Sequence, residues 1–103
     1  MFIKKDHEIY VPNVFSPNGD GINDKLTVYG NSQVTQINLL RIFDRWGEVL
    51  YEHNYFPPNE EVEGWDGRWY GQEMNPGGYI WIAEIQFNDG HIKPFSGEVT
   101  LIK

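Results

Sequence analysis

Ser16-x-Asn18-x-Asp20-Gly21-x-Asn23-Asp24 sets side-chain oxygens at alternate positions around a glycine, the pattern of a loop that wraps a hard cation. The ligand set is incomplete. Its first position holds Ser16 rather than Asp, and Thr27 stands twelfth, where a bidentate Glu would sit. The ligand candidates are Asn18, Asp20, Asn23 and Asp24; they would hold a weak structural calcium, and no other cofactor is required. The same residues also fold without an ion, because Gly19 and Gly21 supply positive φ while Asn18, Asp20 and Asn23 form Asx-turns.

Other reactive side chains are sparse. His7, His53 and His91 have no metal-ligand neighbour at i+2 or i+4, and Ser16, Ser32 and Ser96 lie in no nucleophile elbow. Glu60, Glu61, Glu63 and Asp66 could supply two carboxylates for glycoside hydrolysis, but such a run in a Pro-rich loop reads as a solvated surface. No acid, base and nucleophile converge by spacing, so the reading is not an enzyme. Trp46, Trp65, Trp69 and Tyr70 fall in turns and loops, where rings either stack on sugars or cap the ends of a core. A carbohydrate- or adhesin-type binding module is therefore the alternative reading, and it needs two coplanar exposed rings among those four.

These residues must be held by strands, since no segment keeps a helical apolar period beyond a turn or two. Glu8 to Val11 reads as a first strand, Lys25 to Tyr29 alternates, and Thr35 to Asp44 is apolar on both faces, as a central strand is. Asp44-Arg45-Trp46-Gly47 turns the chain, and Glu48 to Glu52 returns. The stretch from His53 to Gly78 reads as irregular, closed by a type II turn at Asn75-Pro76-Gly77-Gly78. Tyr79, Trp81, Ala83, Ile85 and Phe87 share the inward face of the strongest strand; Asp89-Gly90 is a two-residue hairpin turn. His91 to Phe95, with Pro94 at an edge, and Glu98 to Ile102 complete the set. The expectation is an all-β, seven-stranded antiparallel β-sandwich of Greek-key, immunoglobulin-like type.

A chain of 103 residues suits one such domain. Lys and Arg minus Asp and Glu is 8 − 15 = −7, which argues against nucleic acid and against an anionic membrane surface. Apolar runs fall far short of the roughly 20 residues that span a bilayer, so no direct membrane insertion is expected. There is no cysteine, hence no disulfide or thiolate zinc site. Residues 1–8 contain no apolar h-region and read as a boundary or a linker, with residues 9–103 as the domain proper.

Five motifs in one order carry a resemblance: VPNVFSPNGDGIND at 11–24, LRIFDRWGEVLYE at 40–52, GWDG at 64–67, NPGGYIW at 75–81 and SGEVTLIK at 96–103. Together they closely resemble the gliding-motility-associated C-terminal domain of Bacteroidota, the type B sorting domain of the type IX secretion system. The resemblance spans about Tyr10 to Lys103. It implies a secretion address with no catalytic residues, carried at the C-terminus of a cargo that crosses the periplasm and ends at the cell surface or in the medium. The implied partners are the outer-membrane translocon and an accessory membrane protein. The signature residues it implies are Pro12, Asn13, Phe15, Pro17, Asn18, Gly19, Asp20, Gly21, Asn23 and Asp24, then Arg45, Trp46, Gly47, Trp65, Asp66, Gly67, Gly78 and Tyr79. Ser16 stands where Thr is commoner in that family and keeps the hydroxyl. A tag read on many cargoes needs a rigid scaffold, which suits Gly, Asn, Asp and Pro in fixed turns and Trp pinning the long loops.

Overall fold

The computed structural model describes residues 9–17, 19 and 24–102. Among them the chain forms nine strands: β1 (Ile9–Tyr10), β2 (Val14–Phe15), β3 (Tyr29–Gly30), β4 (Val34–Phe43), β5 (Val49–Phe56), β6 (Arg68–Trp69), β7 (Gln72–Glu73), β8 (Gly77–Phe87) and β9 (Ile92–Leu101). A 3-10 turn covers Glu61–Glu63. The strands make a five-stranded sheet in the order β2-β9-β8-β4-β5 and two small sheets, β1-β3 and β6-β7.

The all-β class is as expected, but the count of seven is not, because the second layer is built from short pieces rather than full strands. β1-β3, a bridge between Leu26 and Trp65, and β6-β7 cover the inner face of the large sheet. Nor is the sheet wholly antiparallel: β2 runs parallel to β9, with Val14 opposite Thr100 and Phe15 opposite Leu101. The two strands expected at the C-terminal end are one, β9, which passes through Pro94 without a break. Lys25 to Tyr29 does not alternate either. Leu26, Thr27 and Val28 are all fully buried, sealed beneath the 57–65 segment.

The inner face follows the sequence pattern. Tyr79, Trp81, Ala83, Ile85 and Phe87 of β8 are buried, facing the same core as Ile37, Leu40 and Ile42 of β4 and Val99 and Leu101 of β9. Each such side chain contributes about 1.5–3 kcal/mol on burial. Gly97 lies opposite Trp81, and a Cβ there would come within 2.9 Å of the indole Nε1. The ring lies across the neighbouring strand, which is why that strand position carries no side chain.

Two hairpin loops share one design. In Arg45-Trp46-Gly47 the Asp44 amide donates to Glu48 O (3.0 Å) and the Gly47 amide to Asp44 O (3.1 Å). Asn88-Asp89-Gly90 repeats it, with Phe87 N–H donating to His91 O and Gly90 N–H to Phe87 O. Gly47 at φ +86 and Gly90 at φ +90 take the left-handed position of a three-residue loop, so the Asp89-Gly90 hairpin is one residue longer than expected. Gly77 at φ +148 departs from a type II turn and already belongs to β8.

Candidate functional site

The signature segments, scattered from residue 12 to residue 79, meet at the end of the sheet where β8 starts and β9 finishes. β2 brings the first of them there. The Thr100 amide donates to Asn13 O (2.9 Å) and the Ile102 amide to Phe15 O (3.0 Å), so Phe15 is driven fully into the core. Its ring lies 5.5 Å from Trp65, whose ring lies 5.5 Å from Tyr79 in an edge-on arrangement. One aromatic row therefore joins the opening loop, the GWDG segment and the start of β8, with each tilted pair adding about 0.5–1.5 kcal/mol beyond its buried area.

Trp65 is the plug of that row. It exchanges two backbone hydrogen bonds with Leu26 (2.8 and 2.9 Å), and its Nε1–H donates to Arg68 O (2.9 Å). The Tyr79 hydroxyl donates to Asn75 O (2.6 Å), tying the 75–78 segment to the same row. Gly67 locks the corner. It sits at φ +81, and a Cβ there would lie 3.1 Å from both Leu101 Cδ1 and Pro17 Cγ. Met74 N–H donates to Gly67 O (2.8 Å), which folds β6-β7 over it.

Above this corner the surface carries both signs of charge: Asp24, Lys25, Asp66, Arg68 and Glu73. Asp66 accepts the Arg68 amide (3.1 Å), and Arg68 pairs with Glu73 at 3.6 Å. Beside it lies a groove of about 460 Å³, lined by the 44–46 loop, the 72–76 segment and Gly77, Gly78 and Tyr79 at the start of β8.

Of the residues singled out in the sequence, Phe15, Trp65 and Tyr79 are core, and Pro12 and Gly67 are buried. Asn13, Gly19, Asp66, Gly78 and the Arg45-Trp46-Gly47 loop are exposed, with Pro17 and Asp24 half-buried. Asn18, Asp20, Gly21 and Asn23 lie outside the described residues. Asp24 Oδ1 accepts the Gly19 amide at 3.0 Å, and among the described residues no group of three or more His, Asp or Glu side chains could hold a metal. Trp46 does not pin its loop to the core; it is 84% exposed, because the three-residue loop is closed by its own backbone bonds and by Asp44 Oδ1, which accepts the amides of Trp46 (2.9 Å) and Glu48 (2.8 Å).

The acidic run ties loops together. Glu61 Oε2 accepts the Asp24 amide (3.2 Å), and Glu63 meets His53 Nε2 at 2.5 Å while its carbonyl accepts the Tyr51 hydroxyl (2.8 Å). Burial, with the Glu63 and Asp66 carboxylates nearby, pushes the Tyr51 phenol up to about 12. Of the four rings a sugar platform would draw on, Trp65 is fully buried, Trp69 is half-buried and tilted by 55° to Tyr70, and Trp46 and Tyr70 are exposed. The β6-β7 hairpin and Met74 went unread in the sequence. The signal was the Tyr70-Gly71 pair, at φ +53 and +80, a two-residue hairpin loop with Tyr where Asn or Asp is usual.

The family described as "CHU_C Type IX secretion signal domain" matches residues 9–101. A pectate lyase of Bacillus subtilis (strain 168) is 36% identical over 76 residues, which are 70% of this chain and 17% of that protein. The chain thus spans under a fifth of that relative's length. Among solved structures, CopC from Methylosinus trichosporium OB3b aligns with a TM-score of 0.56 at 15% identity, over 89% of this chain and 84% of that one. That likeness is one of fold.

Proposed function

The chain belongs to the CHU_C type IX secretion signal domain family, and we propose that it is read as a folded tag, at the end of the sheet where its signature segments converge. It is a sorting signal for the type IX machinery, which exports an attached cargo to the cell surface or medium. A secretion signal family is not catalytic, and the 17% overlap with the pectate lyase does not extend that enzyme's activity to this domain. The observation that carries the surface assignment is the corner itself: Phe15, Trp65 with Gly67, Tyr79 and Leu101, from four distant segments, are linked by contacts there. Recognition of many cargoes by one machine is served by a surface whose geometry is fixed from several directions at once.

Within this reading the domain is of the gliding-motility, type B kind, delivered through the periplasm and handed to the outer-membrane translocon with an accessory membrane protein. The motif order from VPNVF to SGEVTLIK supports that class. Residues 9–103 form the tag and residues 1–8 lead to the cargo. The two-layered sheet supports an immunoglobulin-like Greek key whose second layer is reduced to short strands. Structural calcium in the 16–24 loop belongs to the same proposal. The test is a fluorescent reporter with an inner-membrane export signal, fused ahead of this domain in a type IX-competent host. Reporter outside the cell with the translocon intact, and retained without it, supports the reading; equal export in both hosts refutes it.

A further inference from the structure

The groove beside Arg45 is lined by a backbone edge that no strand occupies. β4 pairs with β8 only as far as Phe43 opposite Ile80, whereas β8 continues to Gly77 along β9. Gly78 lies opposite Thr100, and the Thr100 amide is given to Asn13 on the far side of β9. In an antiparallel pair a residue turned away from its partner faces a partner turned away in return. The N–H and C=O of Gly78 therefore point to the side that β4 has vacated, and Gly78 is exposed.

The lining adds chemistry to that edge. Trp46, 84% exposed on a closed loop, and Met74 both line the groove. Charges lining the groove are not equivalent. Asp44 is engaged by the Trp46 and Glu48 amides, and Glu73 pairs with Arg68. Arg45 is exposed, and no hydrogen bond or salt bridge to a described residue engages its guanidinium. Its Nη2 stands 3.7 Å from where a Gly77 Cβ would be, one residue before Gly78.

We infer that this groove docks an extended, acidic segment of an export-machinery protein, which pairs with the backbone of Gly78, sets a carboxylate on Arg45 and lays an apolar side chain against Trp46. An open strand edge selects extended backbone. A lone guanidinium selects a carboxylate, which it can grip with two parallel N–H bonds. An exposed indole and an arginine side by side are the residue types that dominate binding energy at protein interfaces. The inference rests on the sorting reading for the identity of the partner, and on the groove alone for the chemistry of the ligand.

The experiment has two arms. In the first, the isolated domain is titrated, with NMR detection, against a blocked pentapeptide of alternating threonine and valine carrying a central glutamate, and against the same peptide with lysine. The Gly78 amide should exchange as an open amide in the free domain. The glutamate peptide should slow that exchange and shift the Trp46 indole signal, the lysine peptide should not, and Arg45→Gln should abolish the response. Equal response to both peptides, response to neither, or a protected Gly78 amide in the free domain overturns the inference. Concentration-dependent self-association that Arg45→Gln removes would assign the groove to a second copy, and also overturns it. In the second arm, Arg45→Gln and Trp46→Ala are placed in the reporter fusion, with melting measured beside export. Normal melting with export down about tenfold, the scale of losing a hot-spot contact, supports docking. Parental export from both variants refutes it while leaving the sorting reading intact. If the parent fusion itself is not exported, the sorting reading falls, and the titration alone decides the groove.

Discussion

Replacing Gly67 by Ala tests whether Pro17 and Leu101 close over the corner. Two costs combine. An L-residue at φ +81 carries about 1–2 kcal/mol of left-handed strain, offset by about 0.4–1 kcal/mol from a stiffer unfolded chain. The new Cβ would also lie 3.1 Å from Leu101 Cδ1 and from Pro17 Cγ, and a crowded methyl in a packed site costs about 1–3 kcal/mol. The sum is about 1–4.6 kcal/mol, centred near 3, out of a total of about 5–15 for a domain of this kind. Gly47→Ala is the matched control, at φ +86 with nothing within 4 Å of its Cβ, so it carries the strain without the crowding. At about 4–8 °C per kcal/mol, Gly67→Ala should melt roughly 10 °C or more below the parent and well below Gly47→Ala. Thermal unfolding by circular dichroism reads both. Equal melting of the two variants would mean that Pro17 and Leu101 do not close over Gly67, and the convergent corner would be wrong.

Deleting Val99 to Lys103 should leave the domain unfolded, because Val99 and Leu101 are each 1% exposed and β2 has its partner on that stretch; a cooperative melt in the deletion variant would contradict this. Tyr51 makes stability fall in alkali. Its phenol ionises near 10 when unfolded and at about 12 when folded, so its contribution is full below pH 10 and is lost as pH rises towards 12. Denaturant titrations across that window should show the loss in the parent and less of it in Tyr51→Phe. Calcium, if it occupies the 16–24 loop, should bind weakly, at a Kd of roughly 10⁻⁴ to 10⁻³ M. At ten times Kd the gain is about 1.4 kcal/mol, so melting in millimolar calcium and in chelator should differ by several degrees, and Asp20→Asn with Asp24→Asn should erase the difference; identical melting removes the ion.

The long strands were legible because their periodicity is local. Tyr79 to Phe87 alternates over its whole length, and Val99 and Leu101 point inward as their spacing requires. Trp65 was legible as a plug, whereas Trp46 looked the same in sequence and is a surface residue; what separates them is the Leu26 bridge, a contact between distant segments. β2 was invisible for the same reason: two residues have no period, and only pairing with β9 makes them a strand. The gap expected between Phe95 and Glu98 is absent, while Pro94 sits at an edge as expected. Thr100 gives its amide to β2, so Pro94, six residues earlier on the same strand, faces the same outer edge, and its missing N–H costs no bond to β8. The residues proposed for recognition were found through their motifs. The convergence of the described segments on one corner follows from topology that the sequence does not spell out.

The central claim is that export is read at the corner end of the sheet and not at the Asn88–His91 end. Its most direct measurement is the export efficiency of the reporter fusion for two groups of surface variants, each shown to melt like the parent. One group is Lys25→Gln, Asp66→Asn and Arg68→Gln, at the corner; the other is Asp89→Asn, His91→Gln and Lys93→Gln, at the far end. Corner variants should lower export while the far-end variants match the parent. Loss of export from the far-end group, with the corner group exporting normally, would contradict it.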